Sequence, residues 1–340
     1  MAVFFFKTLT ENTLKSKFKT LHARIRFCLA VLLVPLLTTC LAASMESPET
    51  PKEWTPDSPD FRAFYGWNDE LGEWRMELLR ASTEPAIALH TFTPKTDAPC
   101  AGTLFLLHGY LEHTALRVPL AAAGVSRNWL VAGYDLPGHG LSGGSPSTVA
   151  SFAEYREAFD RVLRSRDWPK PWRVIAHSTG CTSALMYVQQ NGNPFELVIM
   201  EAPLLRSYRW KLSMATLRVA SLFKKTLPRR VGGIAKDQTL YKLIKKDPLS
   251  PDKMPISWCF ALRDFVGTLD AWEPMEGEFI VMQGENDTVV DGAYNIPFLR
   301  ERLSSLEAIT IPEGTHVLLR HESPAGDRAR AIVERSWSRE

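Results

Sequence analysis

Three polar residues far apart along the chain, Ser178, Asp287 and His316, are of the types that together turn a hydroxyl into a nucleophile. A serine hydroxyl is weak at neutral pH. It needs an imidazole to take its proton, and the imidazole needs a carboxylate to fix its tautomer and stabilise its cation. Ser178 lies in Ala176-His177-Ser178-Thr179-Gly180, between the apolar run Arg173 to His177 and the helical pattern CTSALMYVQQ. A serine on a sharp strand-to-helix turn projects its hydroxyl, while the first helical turn offers free N–H groups and a positive dipole end to a developing oxyanion. The five residues form a G-x-S-x-G turn with Ala176 in place of the first glycine; an ordinary helix N-cap serine is the competing reading. Asp287 falls in QGENDT after the run Phe279 to Gln283, and His316 in PEGTH after Ala308 to Ile311, giving the order Ser, Asp, His that such a turn requires in an α/β sheet. Glu285 and Asp291 compete for the acid and His321 for the base. Asp287 and His316 lie at the better distance from their strands, and His321, a turn later, reads as capping or decorating a helix.

Acyl transfer also needs two preorganised donors aimed at the negative oxygen. The run His108-Gly109-Tyr110-Leu111-Glu112-His113 follows an apolar segment at Thr103 to Leu107, so the backbone N–H of Tyr110 can be one donor and that of Thr179 the other. His108, Glu112 and His113 resemble a metal cluster at first sight, but a His-Gly before a turn reads as structural, and neither metal nor cofactor is expected. In Asp135-Leu136-Pro137-Gly138-His139-Gly140-Leu141-Ser142 the proline and two glycines specify a tight turn beneath the site.

The elements that must hold these loops are legible as alternation. Apolar runs at 103–107, 130–134, 173–177, 197–200, 279–283 and 308–311 are almost continuous in apolar character, as in parallel strands covered on both faces. Helical patterns separate them. The clearest spans Ser151 to Arg166, with a capping box from Ser151 and Glu154 and one apolar face of Phe152, Tyr155, Phe159, Val162 and Leu163. The prediction is an α/β fold with a mostly parallel, doubly wound sheet, binding its ligand at the carboxyl ends of the strands.

The 340 residues are 45% hydrophobic and 23% charged, which excludes disorder as the main state. Five scattered cysteines make no disulfide scaffold or zinc site. Forty basic against 38 acidic residues give a net charge of +2, so no nucleic-acid partner is expected, and nothing sets an oligomeric state. Residues 1–45 read as a leader: six cations flank the N-terminal side of the apolar run Phe27 to Thr38, which ends at Leu37-Thr38-Thr39-Cys40. A bacterial lipoprotein signal with lipidated Cys40, a signal cleaved after Ala42 or Ala43, and an uncleaved anchor are the three readings, and each sends the rest of the chain out of the cytoplasm to the cell envelope or periplasm. Residues 46–60, with four prolines, read as an extended tether.

Together FLLHGYLEH, DLPGHGLS, AHSTG, QGENDTVVD and PEGTHVLL resemble the α/β-hydrolase superfamily, and within it the monoacylglycerol lipase, lysophospholipase and serine aminopeptidase-like group. The resemblance spans about residues 60 to 335. It implies Ser178 as nucleophile, Asp287 and His316 as its partners, Tyr110 and Thr179 as oxyanion donors, and a core of 61–202 and 256–340 interrupted by a helical cap at 203–255. That insert carries thirteen Lys/Arg and three Asp, and in Ser207 to Lys225 bulky apolar residues alternate with cations as in interfacial helices. The cap could rest on anionic lipid or attract an anionic substrate; alternatively its cations form a solvated face while Trp210, Leu217 and Phe223 pack over the core. Gly232-Gly233 could hinge it. The activity expected is hydrolysis of a lipid-like, single-chain carboxylic ester beside a membrane. The alternatives are an aminopeptidase or amidase, which needs an acidic residue near the cap, and a non-catalytic binding protein of the same fold.

Overall fold

The computed structural model describes residues 54–229, 238–320 and 322–337. The leader with Cys40, the Gly232-Gly233 pair and His321 lie outside the described residues.

One sheet is built from β1 (Gly72–Leu79), β2 (Ile87–Pro94), β3 (Thr103–Leu107), β4 (Leu130–Tyr134), β5 (Trp172–His177), β6 (Leu197–Glu201), β9 (Met275–Gly284) and β10 (Leu303–Ile311). Its order is β1-β2-β4-β3-β5-β6-β9-β10. The first two strands join antiparallel and the other six are mutually parallel. All six apolar runs are strands. β1 and β2 were not legible as such, because Glu73, Arg75 and Glu77 break the first and His90, Thr91 and Thr93 the second.

Period-two alternation divides the parallel strands between two apolar layers. Phe105, Leu107, Val174, Ala176, Val198 and Met200 face α3 (Ala153–Arg164) and α4 (Thr179–Asn191). Leu104, Leu106, Ile175, Ile199 and Ile280 face α2 (Val118–Val125) and α9 (Pro324–Trp337). Half of the expected box forms at the start of α3: Glu154 Oε1 accepts from the Ser151 N–H at 3.1 Å, but Ser151 Oγ accepts from Ala153 N–H at 3.2 Å while the Glu154 N–H donates to the Ser151 carbonyl.

Two expectations need correction. The tether does not stay extended to residue 60. Trp54 packs edge-on against Phe61 at 5.4 Å, and Pro59, with its φ preset for a first helical turn, opens α1 (Pro59–Phe64). The insert between β6 and β9 is wider than 203–255 and not wholly helical. It comprises α5 (Trp210–Ala220), a ribbon of β7 (Thr226–Pro228) with β8 (Lys253–Pro255), α6 (Gln238–Lys246) and α7 (Ile256–Val266). Leu217 is buried and Trp210 half-buried on the core as expected, but Phe223 is 80% exposed. The last helix, α8 (Gly292–Arg302), leads into β10.

Candidate active site

Ser178 occupies the single residue between β5 and α4, with φ +51° and ψ −112°. A side chain at positive φ is strained by about 1–3 kcal/mol and persists only when its surroundings dictate it. Here the Ser178 N–H donates to Glu201 O at 2.9 Å, and its carbonyl accepts from Cys181 N–H at 3.0 Å and Leu204 N–H at 3.2 Å. The turn needs glycine at its far end, since a Cβ on Gly180 would lie 2.7 Å from the carbonyl oxygens of both Leu107 and His108. At its near end the Ala176 methyl is buried in the core, in register between Leu107 and Met200, so the departure from glycine is accommodated.

Two loops meet that turn. His316 Nε2 lies 3.1 Å from Ser178 Oγ, and its Nδ1 lies 2.9 Å from Asp287 Oδ2. A ring nitrogen facing a carboxylate carries the hydrogen, which leaves the Nε2 lone pair for the serine proton. Asp287 is fixed by the N–H groups of Val289 at 2.7 Å and Val290 at 3.1 Å on Oδ1, and by Gln283 Nε2 at 2.9 Å on Oδ2. Burial raises its pKa, but His316 and these amides outweigh burial and hold the carboxyl below its ordinary value. The competing acids are spent elsewhere. Asp291 caps α8 through the Tyr294 N–H, and Glu285 accepts from the Glu313 N–H.

The loop after β3 abuts the same turn, so closely that a Cβ on Gly109 would lie 3.2 Å from Ser178 Cβ. Tyr110 is held by its hydroxyl, which donates to Ser147 O at 2.7 Å, and by its ring, stacked on Trp258 of α7 at 3.7 Å. Among the described residues neither the Tyr110 nor the Thr179 backbone N–H donates a hydrogen bond, leaving two amides unspent beside the serine.

His108, Glu112 and His113 diverge instead of converging on a metal. His108 donates from Nδ1 to Gly109 O at 2.8 Å and accepts at Nε2 from Leu136 N–H at 2.9 Å; burial drops its pKa to about 3, so the ring is neutral. His113 Nε2 pairs with Asp247 of the cap at 2.7 Å, and Tyr65 donates to the same carboxylate at 2.7 Å. Burial opposes both charges of the His113–Asp247 pair, but their mutual attraction wins, raising His113 and lowering Asp247 to about 2. Glu112 accepts from Gly109 N–H and His177 Nδ1, each at 3.0 Å, and from Arg320. Burial alone would raise the Glu112 pKa; Arg320, His177 and Arg117 hold it well below the ordinary range. Asp135 carries the DLPGHGLS turn, accepting from Thr114 and Leu141 N–H at 2.7 Å each.

Several site residues escaped the sequence reading. Glu201 binds Arg117 at 2.9 Å and the N–H groups of Leu318 and Leu319, fixing the segment after His316. Its signal was there: a carboxylate ending the otherwise apolar run LVIME. Arg117 and Arg320 carry no such pattern, because their partners come from distant loops.

A family model described as serine aminopeptidase, S33, of the hydrolase type matches residues 98–324. Human monoglyceride lipase is 25% identical over 248 residues, covering 69% of this chain and 79% of the relative. In fold, the chain is similar to a soluble variant of monoglyceride lipase from Saccharomyces cerevisiae, with a TM-score of 0.66 at 16% identity over 80% of this chain and 98% of that one. It is also similar to the monoacylglycerol lipase of Paleococcus ferrophilus, with a TM-score of 0.62 at 19% identity over 76% and 98%.

Proposed function

The chain belongs to the serine aminopeptidase, S33 family of hydrolases and carries the α/β-hydrolase fold, and from that premise we propose that it is a serine hydrolase of single-chain lipid esters, monoacylglycerol or lysophospholipid. The observation that carries the reading is the placement of His316 between Ser178 Oγ and Asp287. Ser178 attacks the ester carbonyl as His316 takes its proton, and the tetrahedral oxyanion is held by the amides of Tyr110 and Thr179. His316 then protonates the leaving alcohol. Water, activated by the same imidazole, attacks the acyl-enzyme and releases the fatty acid.

The lipid-like substrate is supported by the name of the human relative and by exposed apolar residues on α5 and in the turn after it. Leu212 and Val219, seven residues apart on α5, are 61 and 62% exposed, and Leu222 and Phe223 in the turn that follows are 75 and 80% exposed, interspersed in sequence with Lys211, Arg218, Lys224 and Lys225. Such a segment suits contact with a membrane surface, which fits a domain tethered in the cell envelope by its leader. An aminopeptidase would need an acidic side chain to hold the substrate ammonium, and Asp247, buried in the cap, is spent on His113 and Tyr65.

The test is labelling of the purified domain by a serine-reactive fluorophosphonate, followed by turnover of matched monoacylglycerol, lysophospholipid and aminoacyl-amide substrates. Labelling at Ser178 with ester turnover is expected. No labelling, or turnover of amides alone, refutes the reading.

A further inference from the structure

The loop after β3 is a tight turn in a shape its own sequence disfavours. Gly109 O accepts from Glu112 N–H at 3.2 Å, which makes Tyr110 and Leu111 the central residues, and Leu111 has φ +60° where such turns favour glycine. A leucine held there is strained, so contacts from outside the turn must impose the shape. Gly109 O also accepts from His108 Nδ1 at 2.8 Å. That carbonyl belongs to the same peptide unit as the Tyr110 N–H, and in a planar trans unit the two point in opposite directions. A tilt of the turn therefore swings the Tyr110 amide away from the serine.

The cap grips this turn from both sides. Asp247, one residue beyond α6, pairs with His113 Nε2 at 2.7 Å. On the other side the Trp258 indole of α7 lies flat on the Tyr110 ring, with 3.7 Å between centroids and 11° between planes. The indole is itself pinned. Its Nε1–H donates to Tyr155 Oη at 2.9 Å, Phe152 lies against it at 5.6 Å, and it is only 5% exposed. The Tyr110 hydroxyl donates to Ser147 O, and the next residue, Thr148, meets Ser257 of α7 through their hydroxyls at 2.8 Å. Ring and hydroxyl of Tyr110 thus both lean on α7.

We propose that Trp258 is a positioning residue for ester hydrolysis, holding the Tyr110 amide on the developing oxyanion so that the oxyanion hole is complete only with α7 in place; this role rests on the hydrolase reading above. Because it acts through a donor to the tetrahedral stage, the indole governs kcat and leaves the ground-state complex almost untouched.

The experiment measures kcat and KM on a short ester dissolved as monomers, and the affinity of an alkyl trifluoromethyl ketone. Ser178 Oγ adds to the ketone carbon, His316 takes the proton, and the carbonyl oxygen becomes the oxyanion that the hole must hold. Full-length wild type, Trp258→Leu, Trp258→Phe, Tyr110→Leu and the double variant with leucine at both positions are compared. Trp258→Leu keeps apolar bulk without a flat face. It should lower kcat by about 10- to 100-fold with KM little changed, short of the loss of a whole donor, and weaken the ketone by the same factor. Trp258→Phe keeps a ring on Tyr110 and should recover most of both. Tyr110→Leu keeps the amide but offers no ring to stack on, so adding Trp258→Leu to it should cost no more than about 2-fold. An unchanged kcat, a rise in KM alone, or a full additional loss in the Tyr110→Leu background overturns the proposal and leaves the hydrolase reading intact. Wild type with neither ester turnover nor fluorophosphonate labelling refutes that reading itself. Should Trp258→Leu fail to fold, Tyr155→Phe decides, since it removes only the acceptor that pins the indole. A parallel fall in kcat and ketone affinity supports the role, and unchanged values overturn it.

Discussion

The His177 imidazole, one residue before Ser178, meets the backbone carbonyl of His316 at 3.2 Å through Nε2 and the Glu112 carboxylate at 3.0 Å through Nδ1. One ring thereby ties the end of β5, the oxyanion loop and the histidine loop together, and positions the His316 backbone independently of Asp287.

His177→Gln can keep one of these bonds but not both at the same reach. Its kcat on a soluble ester should fall about 10- to 100-fold with KM little changed, because binding surfaces are untouched while the base is less well placed. Steady-state kinetics check the split; a rise in KM alone would assign His177 to binding instead.

Ser178→Ala should abolish ester turnover, by about 10⁵-fold or more where nucleophile and base act as a unit. The strained backbone at φ +51° adds a second expectation. Ser178→Gly, equally inactive, should be more stable than Ser178→Ala by about 1 kcal/mol, since glycine adopts positive φ without strain. Thermal melts of the two variants compare them directly.

What sequence could reveal divides by range. The turn around Ser178 is local: an apolar run, small residues and a helix, each dictated by neighbours in the chain, so its position was readable. Asp287 and His316 were readable by their distance from strand ends, and the structure brings both to hydrogen-bonding reach in the expected order. The edge strands were not readable, because β1 is open to solvent on alternate residues and β2 buries His90 and Thr91 beside Asp135 and Trp74. Nor was the bracing beneath the site. Glu112, Glu201, Arg117 and Arg320 join segments 84 to 208 residues apart, and nothing in one segment's composition names its partner.

Acid should destabilise the protein from a pH well above the carboxylate range. His108 and His139 are buried neutral, with pKa values driven down by burial to about 3 and about 4. The unfolded chain takes up their protons near pH 6.5, the native protein only near 3 to 4. Their contribution is therefore full above pH 6.5 and lost as pH falls, at no more than about 2.7 kcal/mol per pH unit for two protons. His113, with its pKa raised, has its contribution complete below 6.5 and does not offset the loss. Glu201 and Asp247, both lowered to about 2, keep theirs until pH falls below about 4. Between pH 6.5 and 4.5, His108→Gln should flatten the stability profile by about half; an unchanged slope would remove His108 as its cause.

The exposed stripe after α5 makes the last test, because apolar and electrostatic contributions to membrane contact respond differently to salt. Burying Leu222 and Phe223 in the interface should each contribute about 1.5–3 kcal/mol, and each nearby cation about 1 kcal/mol on an anionic surface. Leu222→Ser with Phe223→Ser should therefore weaken binding to vesicles by at least about 10-fold, on neutral and anionic lipid alike. Raising salt to 0.5 M should weaken only the anionic case, as the cations of the stripe are screened. Turnover of a short ester dissolved as monomers should survive the double substitution, while turnover of the same head group in vesicles falls with binding. Vesicle co-sedimentation and kinetics on both substrate forms measure this. Equal loss on monomers and vesicles would mean that Leu222 and Phe223 support the cap itself and would remove this stripe as a membrane-contact surface.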